Sequence, residues 1–126
     1  MWTFDGTFPG PTIETQSGRP VMVEWQNPLP PRHFLPIDHT LHGAAASLPE
    51  SRSVVHLHGG RTPAGSDGYP ENWTVPGQSQ TCFYPSAQHA ALLFYHDHGI
   101  VITPLSIYAG LEGCFVIREP REGALD

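Results

Sequence analysis

The sequence predicts an all-β domain, a Greek-key sandwich or barrel with one short helix. Thirteen glycines and fourteen prolines in 126 residues favour turns, and both residue types are disfavoured inside helices. The apolar 39% of the chain falls in short blocks between these turns, which is the pattern of short strands joined by loops. The length fits one domain, which we predict to span residues 1–126.

Seven strand-like segments follow one another along the chain. Val21–Gln26 is the clearest, because apolar and polar residues alternate as in a half-buried strand. The others are two pieces of residues 2–15 on either side of a Phe8-Pro9-Gly10-Pro11 turn, and then residues 53–57, 80–84, 91–96 and 113–118. Immunoglobulin-like sandwiches, cupredoxins and cupins share such a pattern, so it does not choose among them.

The remaining elements are one helix and two long loops. Thr103-Pro104 predicts a helix start, with Thr103 as the cap and Pro104 at the first helical position. Gly110 limits this helix to a few turns at most. Irregular stretches at 27–52 and 61–77 are long enough to be functional loops. The core candidates are Val21, Val23, Trp25, Leu92 and Phe94.

The charge pattern argues against two classes of partner. Only 14% of residues are charged, the net charge is −6 and the six basic residues include no lysine. This leaves no basic patch to neutralise a phosphate backbone, so we expect no nucleic-acid binding. We also expect no membrane contact, because no apolar run reaches the length of a membrane span. The N-terminus does not resemble a signal peptide, and the localisation stays unknown.

Two closely spaced histidine pairs are the strongest functional signal. His56 and His58 form the first pair, and His96 and His98 form the second. Residues i and i+2 of a strand point to the same face, about 6.5 Å apart. Each pair follows an apolar strand and precedes glycine, so we expect the four histidines to converge on one metal site. An all-imidazole site favours copper or zinc over calcium or magnesium.

Two other metal-site classes fit the sequence less well. A structural zinc ribbon would require a C-x-x-C motif, which is missing. A cupin-like mononuclear enzyme would require a glutamate a few residues after the first pair and a lone histidine later. The next glutamate after His58 is Glu71, and a second full H-x-H motif follows.

Six motifs in order resemble the first cupredoxin domain of three-domain multicopper oxidases, closest to the bacterial spore-coat laccase and phenoxazinone synthase branch. They are FPGPTIE at 8–14, HFLPIDHTLH at 33–42, VVHLHGG at 54–60, SDGYPE at 66–71, LFYHDHG at 93–99 and YAGLEG at 108–113. The resemblance therefore covers nearly the whole chain. It implies a cupredoxin-type fold and copper as the cofactor.

The resemblance also implies roles for particular residues. His56 would bind the type 2 copper, while His58, His96 and His98 would bind the type 3 copper pair. These four are half of the eight histidines of the family's trinuclear site. Asp67 matches an acidic position beside the solvent path, where it would relay protons; it could instead simply cap its own turn.

The remaining histidines and Asp97 are expected to play supporting roles. We interpret Asp97 as a partner of the ligands on the opposite strand face. The other histidines match non-ligand or exposed positions; they are His33, His39, His42 and His89.

The chain lacks the features that would make it a complete oxidase. There is no His-Cys-His motif, so neither Cys82 nor Cys114 has the partners of a type 1 copper. They are expected to be buried thiols or a disulfide. The missing ligands would come from other domains of a laccase-like oxidase that oxidises phenols or aromatic amines and reduces O₂ to water. The alternative is a stand-alone, non-catalytic copper-binding module, whose self-association would build sites between subunits.

Overall fold

The computed structural model describes residues 1–119 as six strands, one α-helix and a short 3-10 helix. Residues 120–126, the end of the predicted domain, lie outside the described residues. The strands are β1 (Gly10–Gln16), β2 (Val21–Gln26), β3 (Val55–His58), β4 (Ser79–Tyr84), β5 (Ala91–Asp97) and β6 (Glu112–Arg118). Helix α1 spans Thr103–Ala109, and the 3-10 helix spans Ala64–Ser66.

The strands form two separate sheets within residues 1–119. One sheet has the order β1-β6-β5-β3, in which β1 is parallel to β6 and the other pairs are antiparallel. The other sheet consists of β2 and β4, antiparallel to each other. The non-sequential strand order and the two open sheets describe a sandwich rather than a closed barrel. The predicted all-β class with one short helix is confirmed.

The core lies between the two sheets. Its buried apolar residues come from the facing surfaces of four strands; they are Val55, Leu57, Cys82, Tyr84, Tyr95, Phe115 and Ile117. Trp25 packs against this cluster and donates an indole hydrogen bond of 2.9 Å to the hydroxyl of Tyr84. On β3 and β5 the inward residues therefore alternate with residues on the opposite face of the sheet, which is where the histidines lie.

Two local predictions were wrong, and a third was confirmed. The first strand-like piece forms only a tight turn with a bridge between Phe4 and Thr7, because Asp5 and Gly6 both adopt left-handed backbone conformations. Thr103 does not cap α1; the cap position is Ile102, and the Thr103 hydroxyl donates to the carbonyl of Gly99 instead. Gly110 ends the helix in a left-handed conformation, as expected of a terminal glycine.

Two predicted core residues of β5 are not in the core. Leu92 is 74% exposed and Phe94 is 39% exposed. The physical reason is the two-residue period of a strand: Leu92 and Phe94 share the face of His96, whereas Leu93 and Tyr95 face the core. Val21, Val23 and Trp25, in contrast, do pack against the core cluster.

The long loop of residues 27–52 is fixed by one buried cation. Arg52 is almost fully buried, and its guanidinium donates hydrogen bonds of 2.8–2.9 Å to the carbonyls of Gly43, Pro49 and Ile100. The side chain thus ties this loop to the segment that follows the second histidine pair.

Both cysteines carry free thiols, so the disulfide alternative is excluded in this structure. Cys82 lies in the core, and Cys114 is half-buried on β6. Within residues 1–119 no helix combines the length and apolar character needed to cross a bilayer.

Candidate metal centre

The pairing of β3 with β5 places the two histidine pairs side by side. His56 lies directly opposite His96 in the antiparallel register, and His58 lies opposite Phe94. His98 follows the end of β5, and its backbone N–H donates to the carbonyl of Val54, just before β3. Because Val55, Leu57 and Tyr95 face the core, the histidines share the outward face of the sheet.

The four imidazoles converge, as expected from the sequence. The ring of His56 lies 5.6 Å from those of both His58 and His96, and 4.9 Å from that of His98. The ring nitrogens of His56, His58 and His96 offer ligand atoms that all lie within 4.8 Å of one another. Such spacing matches imidazoles gathered around one metal or two neighbouring metals.

Backbone carbonyls orient three of the four rings. The Nδ1 atom of His56 lies 2.5 Å from the carbonyl of Asp67, that of His96 2.8 Å from the carbonyl of Asp97, and that of His98 2.9 Å from the carbonyl of Gly68. A carbonyl only accepts, so each Nδ1 must carry the proton. In the neutral form of each ring the lone pair is then on Nε2, the atom that can bind a metal.

The loop after the 3-10 helix supplies two of these carbonyls in succession. Gly68 adopts a left-handed conformation with φ of +74°, and a Cβ there would lie 2.2 Å from the carbonyl oxygen of Val55. Only glycine permits this approach of the loop to β3. Asp67 and Gly68 can then present their carbonyls to one histidine of each pair.

His58 is held differently from the other three. Among residues 1–119 its ring nitrogens make no hydrogen bond, and it is the exposed member of the group. Its ring stacks on Phe94 at 4.8 Å with an interplanar angle of 18°. Phe94 was predicted to lie in the core, although its position two residues before His96 places it on the same strand face as the histidines.

Burial shifts the pKa values of two neighbouring residues on β5, His96 and Asp97. Burial lowers the pKa of His96, and the three neighbouring imidazoles lower it further, although the bond to the carbonyl of Asp97 acts in the opposite direction. Asp97 is fully buried on the core side, and its Oδ1 accepts the N–H of Gly99 at 2.9 Å. Burial raises the pKa of the Asp97 carboxyl to about 6. The lowered pKa of His96 favours its neutral imidazole, which is the form that a metal ligand takes.

Comparison with known proteins identifies the family. The model of the multicopper oxidase family matches residues 1–47 and 44–122. This chain belongs to the multicopper oxidase family. Its relatives include the laccase of Bacillus subtilis (strain 168), 47% identical over 99% of this chain, and the laccase of Haloferax volcanii, 38% identical over 99% of this chain.

Solved structures support the same fold. The multicopper oxidase from Campylobacter jejuni, described as a metallo-oxidase, superposes with a TM-score of 0.74 over 94% of this chain at 24% identity. A multicopper oxidase from Pediococcus acidilactici superposes with a TM-score of 0.74 over 97% of this chain at 21% identity. The cupredoxin-type fold predicted from the resemblance is confirmed.

This multicopper oxidase chain spans only about a quarter of the length of its curated relatives. It covers 26% of the Bacillus subtilis laccase and 24% of the Haloferax volcanii laccase. Further domains are therefore implied. Multicopper oxidases bind copper, so the predicted cofactor is confirmed. The converging imidazoles fit that metal, because nitrogen ligands bind copper most strongly among the divalent first-row ions.

Asp67 lies at the edge of the histidine cluster. Its carboxylate accepts a hydrogen bond of 2.5 Å from the hydroxyl of Thr62 and lies 3.6 Å from Nδ1 of His56. The side chain is 42% exposed, so it reaches both solvent and a histidine. The proton-relay role remains a prediction.

The other histidines lie outside the cluster. His33 is buried against Trp2, with ring centroids 4.1 Å apart, and its Nδ1 accepts the N–H of Leu35. His39 lies 2.7 Å from the carbonyl of Ala44 within the long loop. The other two histidines outside the cluster, His42 and His89, are exposed. The structure thus separates these four from the two pairs, as the sequence predicted.

Proposed function

We propose that this chain is a cupredoxin-like domain that supplies half of the trinuclear copper site of a laccase-like multicopper oxidase. The complete enzyme would couple one-electron oxidation of phenols or aromatic amines to the reduction of O₂ to water. The observation that carries the proposal is the convergence of four imidazoles, three of which have their Nδ1 atoms bonded to carbonyls. The membership of the chain in the multicopper oxidase family supports the same function.

Each residue of the centre has a separate task in this proposal. His56 is the ligand for type 2 copper, while His58, His96 and His98 are the ligands for the type 3 pair. Bound copper supplies the electron transfer that the protein side chains cannot perform. The loop carbonyls fix the ring orientations, and the Asp67 carboxylate transfers protons between solvent and the cluster edge.

The outward face of the sheet is the surface that other domains would cover. Leu92, Phe94 and His58 are all exposed on this face. Exposed apolar side chains around an open ligand set are typical of a surface that is buried in an assembly. We propose that a further domain of the same oxidase docks here and contributes the remaining histidines. Self-association of this chain is the alternative occupant.

Copper titration of a ligand variant tests the proposal. The double change His56→Ala and His96→Ala removes the two histidines that lie opposite each other in the register. We expect copper to be retained at least about 100-fold less tightly, because losing ligands from a shared site costs several kcal/mol. The fold should persist, since both side chains lie on the outward face; circular dichroism checks this.

A matched control removes the same number of imidazoles elsewhere. His42→Ala with His89→Ala changes two exposed histidines outside the cluster and should leave copper binding unchanged. Equal copper affinity in the two double variants would reject the assignment of the centre.

A further inference from the structure

His58 is the least constrained of the four histidines. The other three rings are fixed by Nδ1–H bonds to carbonyls, whereas within residues 1–119 the His58 ring makes no hydrogen bond. The torsion that rotates an imidazole about its Cβ–Cγ bond is broad. At the exposed end of β3, His58 therefore needs another restraint to present a nitrogen in a fixed direction.

Phe94 is placed to provide that restraint. It lies directly opposite His58 in the β3–β5 register, where side chains on one face are in contact range. The planes of the two rings are nearly parallel, with an interplanar angle of 18° and centroids 4.8 Å apart. The rings of His56 and His96 instead meet the His58 ring at 70° and 43°. Among the ring contacts of His58 within residues 1–119, only that with Phe94 is close to parallel.

Stacking leaves the nitrogens of His58 available. A metal binds an imidazole through a lone pair that lies in the plane of the ring, at its edge. The contact with Phe94 uses the face of the ring and leaves both edges open. Phe94 also stacks on His96, with ring centroids 4.9 Å apart and an interplanar angle of 27°. It therefore contacts one histidine of each pair. These two contacts give a reason for placing a large aromatic side chain at position 94, although it remains 39% exposed on the outward face.

We infer that Phe94 is a positioning residue that orients His58 for metal binding through the stack of their rings. The inference rests on the proposed function for the role of the metal, but the orientation itself belongs to this chain without metal. An aromatic contact of this kind changes affinity by about two- to tenfold. The effect should therefore be measurable without loss of the site.

The test compares Phe94→Leu with Phe94→Tyr. Phe94→Leu removes the stacking ring, and we expect Cu²⁺ to bind about two- to tenfold more weakly. Phe94→Tyr keeps the ring and should restore the affinity of the original chain. In the metal-free chain, NMR contacts between the rings of residues 58 and 94 should be present with Phe or Tyr. With Leu, the imidazole signals of His58 should show rotational averaging.

A double-mutant cycle shows which histidine Phe94 acts through. In a His58→Ala background, Phe94→Leu should cause no further loss of Cu²⁺ affinity. Phe83→Leu is the matched control, because Phe83 is 42% exposed and lies on β4 of the other sheet; it should leave Cu²⁺ affinity unchanged.

Three results would overturn the inference: unchanged affinity and unchanged His58 signals in Phe94→Leu, an equal loss with and without His58, or a failure of Phe94→Tyr to restore binding. The proposed function fails on a different result, namely full copper affinity in the His56→Ala, His96→Ala chain. The metal-free NMR measurement tests the orientation of His58 in either case.

Discussion

Asp67 presents two different oxygen groups to the same imidazole. Its backbone carbonyl lies 2.5 Å from Nδ1 of His56 and accepts the hydrogen bond that fixes the ring. Its carboxylate lies 3.6 Å from the same atom, is bonded to the hydroxyl of Thr62 and is partly exposed. In the proposed function, orientation of the ligand and exchange of protons with solvent would depend on separate atoms of one residue. A side-chain substitution can therefore separate the two roles.

Asp67→Asn should leave copper binding intact and slow the complete oxidase. The amide keeps the size of the side chain and the backbone carbonyl, but it cannot give or take a proton near neutral pH. We expect oxygen uptake to fall by roughly 100-fold, the typical contribution of a positioned acid or base. Glu71→Gln, an exposed acid in the same loop, is the control. Undiminished oxygen uptake in Asp67→Asn would show that the carboxylate only supports the turn.

The sequence could predict which histidines share a face but not how they are oriented. The i, i+2 spacing places His56 with His58, and His96 with His98, as soon as two strands are assigned. The same period would have excluded Leu92 and Phe94 from the core, since they share the parity of His96. The orienting carbonyls carry no signal in the sequence, because every residue has one. Only the folded loop shows that those of Asp67, Gly68 and Asp97 are used.

The loop between β3 and β4 depends on one glycine. Gly68 combines φ of +74° with a virtual Cβ 2.2 Å from the carbonyl oxygen of Val55. The loop can therefore lie directly against β3, which brings its carbonyls to both histidine pairs. Gly77 in the same loop has a similar φ of +90°, but nothing lies within 4 Å of its virtual Cβ. Substitutions at these two glycines can therefore distinguish the effect of backbone strain from that of a steric clash.

Gly68→Ala should damage both stability and the metal centre, and Gly77→Ala only stability. Either change puts a Cβ in the left-handed region, at about 1–2 kcal/mol. At position 68 the added methyl group also displaces the loop, and overpacking adds about 1–3 kcal/mol. We expect urea unfolding to show the larger loss for Gly68→Ala, together with weaker copper binding. Similar unfolding curves and copper affinities for the two variants would refute the proposed role of the loop.

At the scale of elements, the sequence predicted the regular strands but not the side-chain contacts that hold the loops in place. Alternation and turn residues located five of the six described strands closely and located the sixth, β1, less exactly. The strand predicted before the Phe8-Pro9-Gly10-Pro11 turn is not formed, because Asp5-Gly6 makes a tight turn that the aromatic-rich sequence does not reveal. The role of Arg52 was also not predicted. An arginine in a long loop looks exposed, yet its guanidinium is bonded to two carbonyls of the same loop and to that of the distant Ile100.

The described fold presents the proposed copper ligands on one face of a sheet, where His96 is buried, His56 and His98 are partly buried and His58 is exposed. The core occupies one face of β3 and β5, so the ligands are confined to the other face. His58 remains exposed there beside Leu92 and Phe94. A cluster with eight histidine ligands cannot be completed from four on a single face. The geometry therefore agrees with a chain that covers about a quarter of its curated relatives.

The chain on its own should show no laccase-type oxygen reduction. Conversion of O₂ to water takes four electrons, and a type 1 copper that delivers them needs a thiolate with two imidazoles. Cys82 is buried in the core, where burial raises the pKa of its thiol. Cys114 is half-buried on β6, and the sequence contains no His-Cys-His motif. Self-association could double the number of imidazoles, but it could not supply this electron entry site.

Oxygen uptake with a phenolic or aromatic-amine donor measures this directly. The copper-loaded chain would be assayed alone and then mixed with a polypeptide that carries the His-Cys-His motif and the remaining histidines. We expect no turnover above that of free copper in the first case. In the second, turnover should appear only if the outward face of the sheet can dock its partner, and it should disappear with His56→Ala and His96→Ala. Sustained turnover by the lone chain, or an intense blue Cu–thiolate absorption from it, would contradict the ligand count because either would require a second, unrecognised copper site.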